Sequence, residues 1–559
     1  MTSPEWTACA ATVEAGLKEL LCNQFAESEA RFTAALKAEM RSAQPDISVI
    51  AVLRMGQACV SLSEGLAAGA LDRLSDALPT LWQAESEAAQ AAPWVGIQLV
   101  RGVTLLFGGM IQMVQQSYVK AGINITKAWA LIKPASLEAL DYTGTQRELV
   151  RSMGQFVLGA INLLVSTLPP SLISIVELVG FDGRREKALS FLRNCWKEDG
   201  LFGGFAALVI ASFTVYVRPF FFETLSHAEK QEIEQILIWA EMKFPGSFFF
   251  AVSECNYRLV CREPALAVEA LKGVPEKASS IPTLQMLLFY RRGLAKLCGF
   301  DFQGSACDFR LGAISQISAK RVSYSASLSL LEALCLKTAD AKNDISESFA
   351  RLEILRKEFD TKKDLWMPSD LWALRKYNEY CEISKSDQSQ NPSGPFYTLD
   401  LFYGPVLCFA SVAEKFPIDL KKIIPLLNLP PWADLGAQCR RKLLLAEFYR
   451  QAGKRGEALD ALDAILDRAD DELKDEEAIF SLALLFQSLI FAQAGESEAA
   501  TEALKEMDER VAASVGVLGS WVGSRPPGTA EFDVAIKFKR QGVQQRIDAG
   551  GYQSAEEDD

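Results

Sequence analysis

Histidine is almost absent from this sequence, since His227 is the single one among 559 residues. A zinc site built from several histidines and a His-Glu-x-x-His metalloprotease motif are therefore excluded. The sequence also lacks the Gly-x-x-x-x-Gly-Lys-Ser/Thr phosphate loop and the Gly-x-Gly-x-x-Gly dinucleotide fingerprint. Without a catalytic constellation or a cofactor motif, we expect a protein that is not an enzyme and needs no cofactor.

The one histidine has a structural explanation. Ser226-His227-Ala228-Glu229 follows the pattern of a capping box, in which the serine accepts from the third helical amide and the glutamate reaches back. This pattern predicts that His227 lies in an exposed first helical turn. A role as a catalytic base is the alternative, and no Gly-x-Ser-x-Gly nucleophile motif accompanies it.

Positive charge is in deficit. The chain has 58 Lys and Arg against 71 Asp and Glu, a formal net charge of −13. Proteins that bind nucleic acid through its phosphates rely on Lys and Arg, so we expect no nucleic-acid partner. The one dense basic run, Arg440-Arg441-Lys442, is expected to be a solvated helix face.

The cysteines lack the spacing of a metal or redox site. None of the 12 forms a Cys-x-x-Cys pair, and several lie in apolar helical runs, which is typical of small buried hydrophobic residues. The first residues, from Met1 to Trp6, lack the basic start and apolar stretch of a secretory signal. We expect a cytoplasmic protein, with the nucleus or the surface of lipid droplets as alternatives.

Strand patterns are scarce. Apolar residues recur mainly three and four positions apart, and 49% hydrophobic with 23% charged residues describe a folded chain. The expected fold is all-α: an α-solenoid of degenerate tetratricopeptide-like helix pairs around an apolar central helical region.

Two stretches near the C-terminus carry the repeat pattern, in which small residues allow close helix crossing and a turn separates the two helices. Ala446, Tyr449, Gly453, Ala458, Leu462 and Ile465 take these positions in the first stretch. Ser488, Phe491, Gly495, Ala500, Leu504 and Met507 take them in the second. A third match, near the N-terminus, is Gly16, Asn23, Ser28, Phe32 and Ala35. Weaker candidates are Ile233, Leu237, Ala240 and Pro245, and Gly293, Ser305, Phe309 and Gly312.

Breaker segments suggest the domain organisation. Residues 1–383 are predicted to be the N-terminal and central helical repeat region, and polar residues 384–395 a loop. Residues 396–515 are predicted to hold the C-terminal tetratricopeptide repeats. Residues 516–559 are predicted to be a mostly irregular, acidic tail.

The middle of the chain is unusually apolar. Ser152 to Val176 carries no charge and is split by Pro169-Pro170, and a second uncharged run extends from Gly200 to Val217. The arms beside the two prolines are too short to cross a bilayer of roughly 30 Å as helices. Burial in the solenoid is therefore the favoured interpretation, and insertion of a proline-centred hairpin into a lipid surface is the alternative.

The stretch from Gly154 to Leu189 resembles the signature region of the tetratricopeptide repeat protein 39 family, which includes the fungal inclusion body clearance proteins. The shared pattern is an apolar helix with Gly and Asn, a Leu-Pro-Pro break, and Gly180-Phe181-x-Gly183-x-Arg185 before the next helix. Gly102 to Ala128 and Lys243-Phe244-Pro245-Gly246 are similar to flanking parts of the family. The resemblance extends over roughly residues 10 to 515 and is specific at 154–192.

The resemblance implies a helical-repeat adaptor that clears inclusion bodies or acts in lipid homeostasis through protein partners, and it brings no catalytic residues. A helix or extended peptide in a concave groove is the expected partner. A lipid droplet or sterol that contacts the Leu168-Pro169-Pro170 region, or a cavity between the apolar helices, is the alternative. The candidate interaction loop is Phe181, Arg184 and Arg185, and a tight turn with Phe181 in the core is the competing interpretation.

Overall fold

The structure is a computed structural model of the chain. It describes residues 4–68, 71–115, 117–144, 146–167, 180–181, 183–221, 223–274, 282–319, 323–358, 368–386, 394–403, 420–428, 434–468, 477–515 and 533–548. Within these ranges the regular structure is helical, without a β-strand, and the all-α prediction is confirmed.

The first part of the described chain consists of consecutive α-helices. They are α1 Pro4–Leu21, α2 Phe25–Met40, α3 Ile47–Ala68, α4 Leu71–Gln90, α5 Val95–Val114, α6 Tyr118–Leu140, α7 Arg147–Val165, α8 Arg185–Lys197 and α9 Gly203–Ser212. A π-helical turn, Phe213–Val217, and a 3-10 turn, Arg218–Phe221, follow α9.

The second part is also helical. Its helices are α10 His227–Lys243, α11 Phe248–Val260, α12 Pro264–Ala270, α13 Pro282–Cys298, α14 Phe302–Ser318, α15 Ser325–Ala339, α16 Ser346–Glu358, α17 Pro368–Ser386 and α18 Gly394–Leu401. They are followed by α19 Leu420–Leu426, α20 Leu435–Gln451, α21 Arg455–Leu466, α22 Glu477–Gln493, α23 Ser497–Val515 and α24 Asp533–Asp548.

Packing divides the chain into two compact units. Unit 1 comprises residues 1–213, 231–253 and 273–284, and unit 2 comprises residues 214–230, 254–272 and 285–559. In unit 1, each helix from α1 to α9 packs against the next, and the odd-numbered helices α1 to α9 also contact one another in succession. Helix pairs stacked in one row are the arrangement of a helical-repeat protein.

One register recurs in the helix pairs of both units. The Ser28 hydroxyl donates to the Gly16 carbonyl at 2.9 Å, and the Ser305 hydroxyl donates to the Gly293 carbonyl at 3.0 Å. In α22 the Ser488 hydroxyl donates at 2.6 Å to the carbonyl of Ala500, also twelve residues away. Small residues at these positions let the backbones of the two helices approach, as the repeat pattern predicts.

Large residues fill the spaces beside these crossings. Phe32 is fully buried, and a Cβ added at Gly16 would lie 2.5 Å from its ring. A Cβ added at Gly293 would likewise lie 2.6 Å from the Phe309 ring. In the C-terminal pairs, the predicted second-helix positions are buried: Ala458, Leu462, Ile465, Ala500, Leu504 and Met507. The strong repeat predictions and the weaker one at Gly293 are thus confirmed.

The turns within these pairs share a left-handed residue after the first helix. Asn23, Gly453 and Gly495 have φ of 65°, 72° and 77°. In each turn the next amide donates to the carbonyl five residues earlier, as from Lys454 to Tyr449 at 2.9 Å. This Schellman arrangement satisfies the last carbonyls of the helix and turns the chain into the second one.

Asn23 also joins two distant turns of unit 1. Its side-chain amide donates to the Gly246 carbonyl and its side-chain oxygen accepts from the Phe248 amide, each at 2.9 Å. The Lys243 to Gly246 turn singled out in the sequence therefore lies beside the α1–α2 turn.

The apolar middle is largely used in packing. Three helical stretches have the length and composition to cross a membrane: Ile47–Gly65, Val95–Gln112 and Arg147–Val165. Between 67% and 72% of each is buried in the fold. In α9, Gly203, Gly204, Ala206 and Ala207 are buried. Burial is thus confirmed for the described part of both runs, while Pro169-Pro170 lies outside the described residues.

The basic run is not a solvated face. Arg440 is only 8% exposed, and its Nε lies 3.9 Å from the buried Asp400 carboxylate. The Arg441 guanidinium donates to the Leu427 carbonyl at 2.8 Å. The prediction was wrong because the acidic partner comes from α18, forty residues earlier, and a local charge pattern does not reveal it.

The expected tail contains a helix. In α24, Val543 is fully buried, and Arg540 pairs with Asp508 of α23 at 2.5 Å. Residues 533–548 are therefore helical rather than irregular, and the rest of the tail lies outside the described residues. The predicted loop 384–395 includes the last turn of α17 and the start of α18, and residues 387–393 lie outside the described ranges.

Candidate functional site

Two cavities of unit 1 lie on different sides of α6. The first, here called the α6 groove, has a volume of about 580 Å³. Helices α4, α5 and α6 line it with Trp82, Glu85, Arg101, Leu105, Gln112, Asn124, Lys127, Ala130 and Leu131. Asn124, Lys127 and Leu131 follow one another at three- and four-residue spacing, so one face of α6 forms a wall of the groove.

Local sequence explains the shape of the α6 groove. Trp82 packs against Gly108, where a Cβ would collide with the indole ring. The Arg101 guanidinium pairs with Glu85 at 2.8 Å, and the Asn124 amide donates to Gln112 at 2.9 Å. These pairs bind α5 to its two neighbours. The groove thus combines an indole, paired charges and amide groups, a composition suited to the backbone and side chains of a peptide.

The second cavity contains the interaction loop predicted from sequence and is here called the loop cavity. Its volume is about 420 Å³. It is lined by Trp129, Lys133, Leu137, Leu158, Asn162, Gly180, Phe181, Arg184, Lys187 and Phe191. Trp129, Lys133 and Leu137 are spaced four residues apart and form one face of α6.

The structure places the three predicted loop residues differently. Phe181 is half-buried and stacks on Trp129, with ring centroids 4.2 Å apart and planes at 11°. Arg184 is exposed and lines the loop cavity. Arg185 begins α8, and its guanidinium lies over the Phe213 ring at 5.2 Å. Phe181 and Arg184 therefore share one cavity, whereas Arg185 faces a different aromatic ring.

Gly180 shapes the entry to the loop cavity. Its φ is +90°, a backbone angle that residues other than glycine rarely adopt. A Cβ there would also lie 2.8 Å from the Lys133 ammonium group. Glycine at this position therefore allows the backbone conformation of the turn and leaves room for the Lys133 side chain.

Sequence reasoning missed the α6 contribution to the loop cavity. Trp129 and Lys133 lie about fifty residues before the loop, so no local motif connects them with Phe181. The regular spacing of Trp129, Lys133 and Leu137 marks a helix face, but the sequence does not say which loop covers it.

Reactive groups are scarce within the described chain. No group of three or more His, Cys, Asp or Glu side chains in the described ranges is arranged to hold a metal. Burial raises the pKa of the Cys9 and Cys59 thiols to about 12 and that of Cys195 to about 11. These thiols remain protonated at neutral pH and are poor nucleophiles.

The capping box at the histidine is confirmed. The Glu229 amide donates to the Ser226 hydroxyl at 3.3 Å, and the Ser226 amide donates to the Glu229 carboxylate at 2.9 Å. His227 is exposed in the first turn of α10, as predicted. Its position is thus explained by the start of a helix.

The helix pairs, their register and their turns define a helical-repeat protein of the tetratricopeptide type. The Iml2/Tetratricopeptide repeat protein 39 family profile matches residues 15–403. The chain belongs to this family, and the resemblance noted in the sequence is confirmed.

Two curated relatives are inclusion body clearance proteins. The Saccharomyces cerevisiae protein IML2 is 22% identical over 369 residues, which cover 57% of this chain and 50% of the relative. The Aspergillus niger protein iml2 is 26% identical over 153 residues, covering 26% of this chain and 22% of the relative. The chain therefore spans no more than about half the length of these relatives.

A solved structure, the P58(IPK) TPR domain, is also similar to this chain. It is 12% identical, with coverage of 96% of this chain and 99% of that one, and the TM-score is 0.18.

Proposed function

We propose that this protein is a non-enzymatic scaffold in the cytoplasm that holds another protein in the α6 groove and takes part in the clearance of protein inclusions. The observation that supports it most is the groove itself, about 580 Å³ between stacked helix pairs. Helical-repeat proteins use such concave surfaces to bind peptides and helices.

The lining of the groove favours a peptide over a small apolar ligand. Trp82 offers a large apolar surface, and aromatic residues are enriched where protein partners bind. Lys127 is exposed at the wall and adds a positive charge. An acidic or amide-rich segment with an apolar side chain would match this lining.

Affinity purification tests the scaffold proposal. We expect the tagged protein to recover a partner in stoichiometric amount under mild conditions. Lys127→Glu reverses the charge at the wall and is expected to lower recovery of that partner about tenfold, the effect of one charge-assisted hydrogen bond.

Lys120→Glu is the matched control, because Lys120 is exposed on the same helix and is not part of the groove lining. It should leave recovery unchanged. Recovery of the bait alone, or equal loss in both variants, would contradict a partner held in the groove.

The pathway rests on the relatives. Because the chain spans only about half their length, a role in inclusion clearance needs its own test. Cells that lack this protein should retain aggregates of a fluorescent misfolding-prone reporter for longer, and reintroduction of the wild-type chain should restore clearance. If clearance is equally fast with and without the protein, the proposed role in inclusion clearance is contradicted, whereas the proposal that the protein binds a partner is not affected.

Contact with a lipid droplet or sterol is the alternative proposal, and a role in lipid homeostasis depends on it. Of the two contacts proposed for it, a cavity between the apolar helices and Leu168-Pro169-Pro170, the second lies outside the described residues. The described feature that favours it is Leu164, 56% exposed at the end of α7 just before that segment.

A further inference from the structure

The loop cavity carries a concentration of positive charge. Lys133, Arg184 and Lys187 line it, and none of its lining residues within the described chain is acidic. Arg184 and Lys187 each take part in a further interaction, whereas Lys133 forms no ion pair with another described residue. Cations gathered around one cavity favour an anionic ligand, and the ammonium group of Lys133 can form a charge-assisted hydrogen bond with a carboxylate.

A buried donor lies at the same place. Trp129 is only 6% exposed, and its indole N–H has no acceptor among the described residues. A buried donor without a partner costs about 1 to 3 kcal/mol, so such groups call for an explanation. A Cβ placed at Gly180 would lie 3.8 Å from the indole nitrogen and 2.8 Å from the Lys133 ammonium nitrogen. Both donors therefore lie next to Gly180. An acceptor atom that enters here would satisfy the indole N–H.

The rest of the cavity is apolar. Leu158 is buried in its floor, and Phe191 and the half-exposed Leu137 form further walls. A volume of about 420 Å³ accommodates one or two side chains of a peptide. Phe181, stacked on Trp129, holds the loop against α6 and so keeps Arg184 at the cavity.

We infer that the loop cavity binds an acidic segment of a protein partner, with a carboxylate held by the Lys133 ammonium group and the Trp129 indole N–H and a neighbouring apolar side chain on Leu158. This inference rests on the proposed scaffold function and adds a second contact, on the opposite side of α6 from the α6 groove. Apolar walls beside the cations favour a peptide carboxylate over a free inorganic anion.

The test follows the Trp129 indole in the intact protein. With ¹⁵N-tryptophan labelling, the signal that disappears in Trp129→Phe identifies this group. The probe is the peptide Ser-Glu-Phe-Glu-Leu-Ser, compared with its counterpart in which both glutamates are glutamines and with inorganic phosphate. We expect the glutamate peptide to shift the Trp129 signal downfield saturably, as a new hydrogen bond would, and the glutamine peptide not to do so.

Charge variants assign the effect to the cavity. Arg184→Glu and Lys133→Glu should each weaken binding of the glutamate peptide about tenfold or more, and Lys120→Glu, at an exposed position that lines neither cavity, should leave it unchanged. Both cavity positions are exposed, so the variants are expected to fold, and circular dichroism checks this. No saturable shift, an equal response to phosphate, or binding that survives both cavity variants would overturn the inference.

The outcomes separate this inference from the proposed function. If the wild type recovers a partner, Lys127→Glu loses it, and Trp129 does not respond to the peptide, only the inference about the loop cavity is contradicted. If the Trp129 signal responds to the peptide but affinity purification recovers no partner, the scaffold role is contradicted and the loop cavity remains an anion-binding site.

Discussion

Asp400 lies in a buried group of charges in unit 2. It is 5% exposed and accepts from the Tyr380 hydroxyl at 2.6 Å, while the Lys376 ammonium lies 3.5 Å away. Burial opposes ionisation of this carboxyl, but the positive charges of Lys376 and Arg440 and the tyrosine hydrogen bond outweigh it. Its pKa therefore lies below the ordinary value.

Asp400→Asn should destabilise the protein. The substitution removes one of the two carboxylates that pair with Lys376, which keeps Glu379 at 2.8 Å, and the buried negative charge nearest to Arg440, at a cost of about 1 to 3 kcal/mol in the free energy of unfolding. Because the folded-state pKa is depressed, the carboxylate stabilises the fold above the unfolded pKa of about 4 and loses this effect as the pH falls through the folded value.

Urea unfolding at several pH values measures this. The difference in the free energy of unfolding between the wild type and Asp400→Asn should be largest near neutral pH and should shrink as the pH falls below about 4. A difference that stays constant with pH would show that ionisation of Asp400 does not stabilise the fold.

Single residues were predictable where their reason is local. The capping box that explains His227 is contained in four consecutive residues, and the structure matches it. The burial of Arg440 and the stacking of Phe181 on Trp129 depend on partners forty and more residues away. No local sequence pattern connects residues that are this far apart in the chain.

Among the elements, close helix crossing explains some of the glycines inside helices and not others. Gly293 lies where Phe309 packs, with a Cβ position 2.6 Å from the ring, whereas Gly122 in α6 has no atom within 4 Å. Gly293→Ala should therefore destabilise the α13–α14 pair by about 1 to 3 kcal/mol through overpacking.

Gly122→Ala is the matched substitution. It should stabilise the protein by up to about 1 kcal/mol, because alanine has the higher helix propensity and meets no neighbour. Thermal unfolding of the two variants gives the comparison. Equal effects of the same sign would show that close helix crossing at Gly293 does not matter.

Helix α7 allows core packing and lipid contact to be separated. Leu163 is 3% exposed and its neighbour Leu164 is 56% exposed. Leu163→Asp should unfold the region, since a buried carboxylate without a partner costs several kcal/mol. Leu164→Asp should leave the melting temperature nearly unchanged.

Flotation with lipid droplets completes that comparison. If the apolar middle serves only as core, the folded wild-type chain and Leu164→Asp both stay in the soluble fraction. Flotation of the wild type that Leu164→Asp abolishes would support the lipid alternative and contradict the purely structural interpretation.

Prediction of the elements succeeded where the repeat pattern is strong. The pairs α20–α21 and α22–α23 carry small residues twelve positions apart and a glycine in the turn, and both were recognised from sequence. Helix α24 was missed because it begins after a stretch rich in glycine and proline, which indicates irregular structure.

For the whole molecule, the fold class and family were predictable and the binding surfaces were not. Helical periodicity and the Gly180 to Arg185 motif identify a member of this family, and the profile match over residues 15–403 agrees. The α6 groove and the loop cavity arise from helices that meet only after the chain folds. Their lining residues are scattered from Trp82 to Phe191 and form no sequence motif.

Hydrogen–deuterium exchange of the purified complex tests the scaffold account most directly. With the partner recovered by affinity purification bound, amides of the α6 segment 124–131 and of α5 around Arg101 should exchange more slowly than in the free protein. Lys127→Glu should abolish this protection, and Lys120→Glu should retain it. Binding without any change in exchange along α4, α5 and α6 would contradict the central claim that this protein holds its partner in the α6 groove.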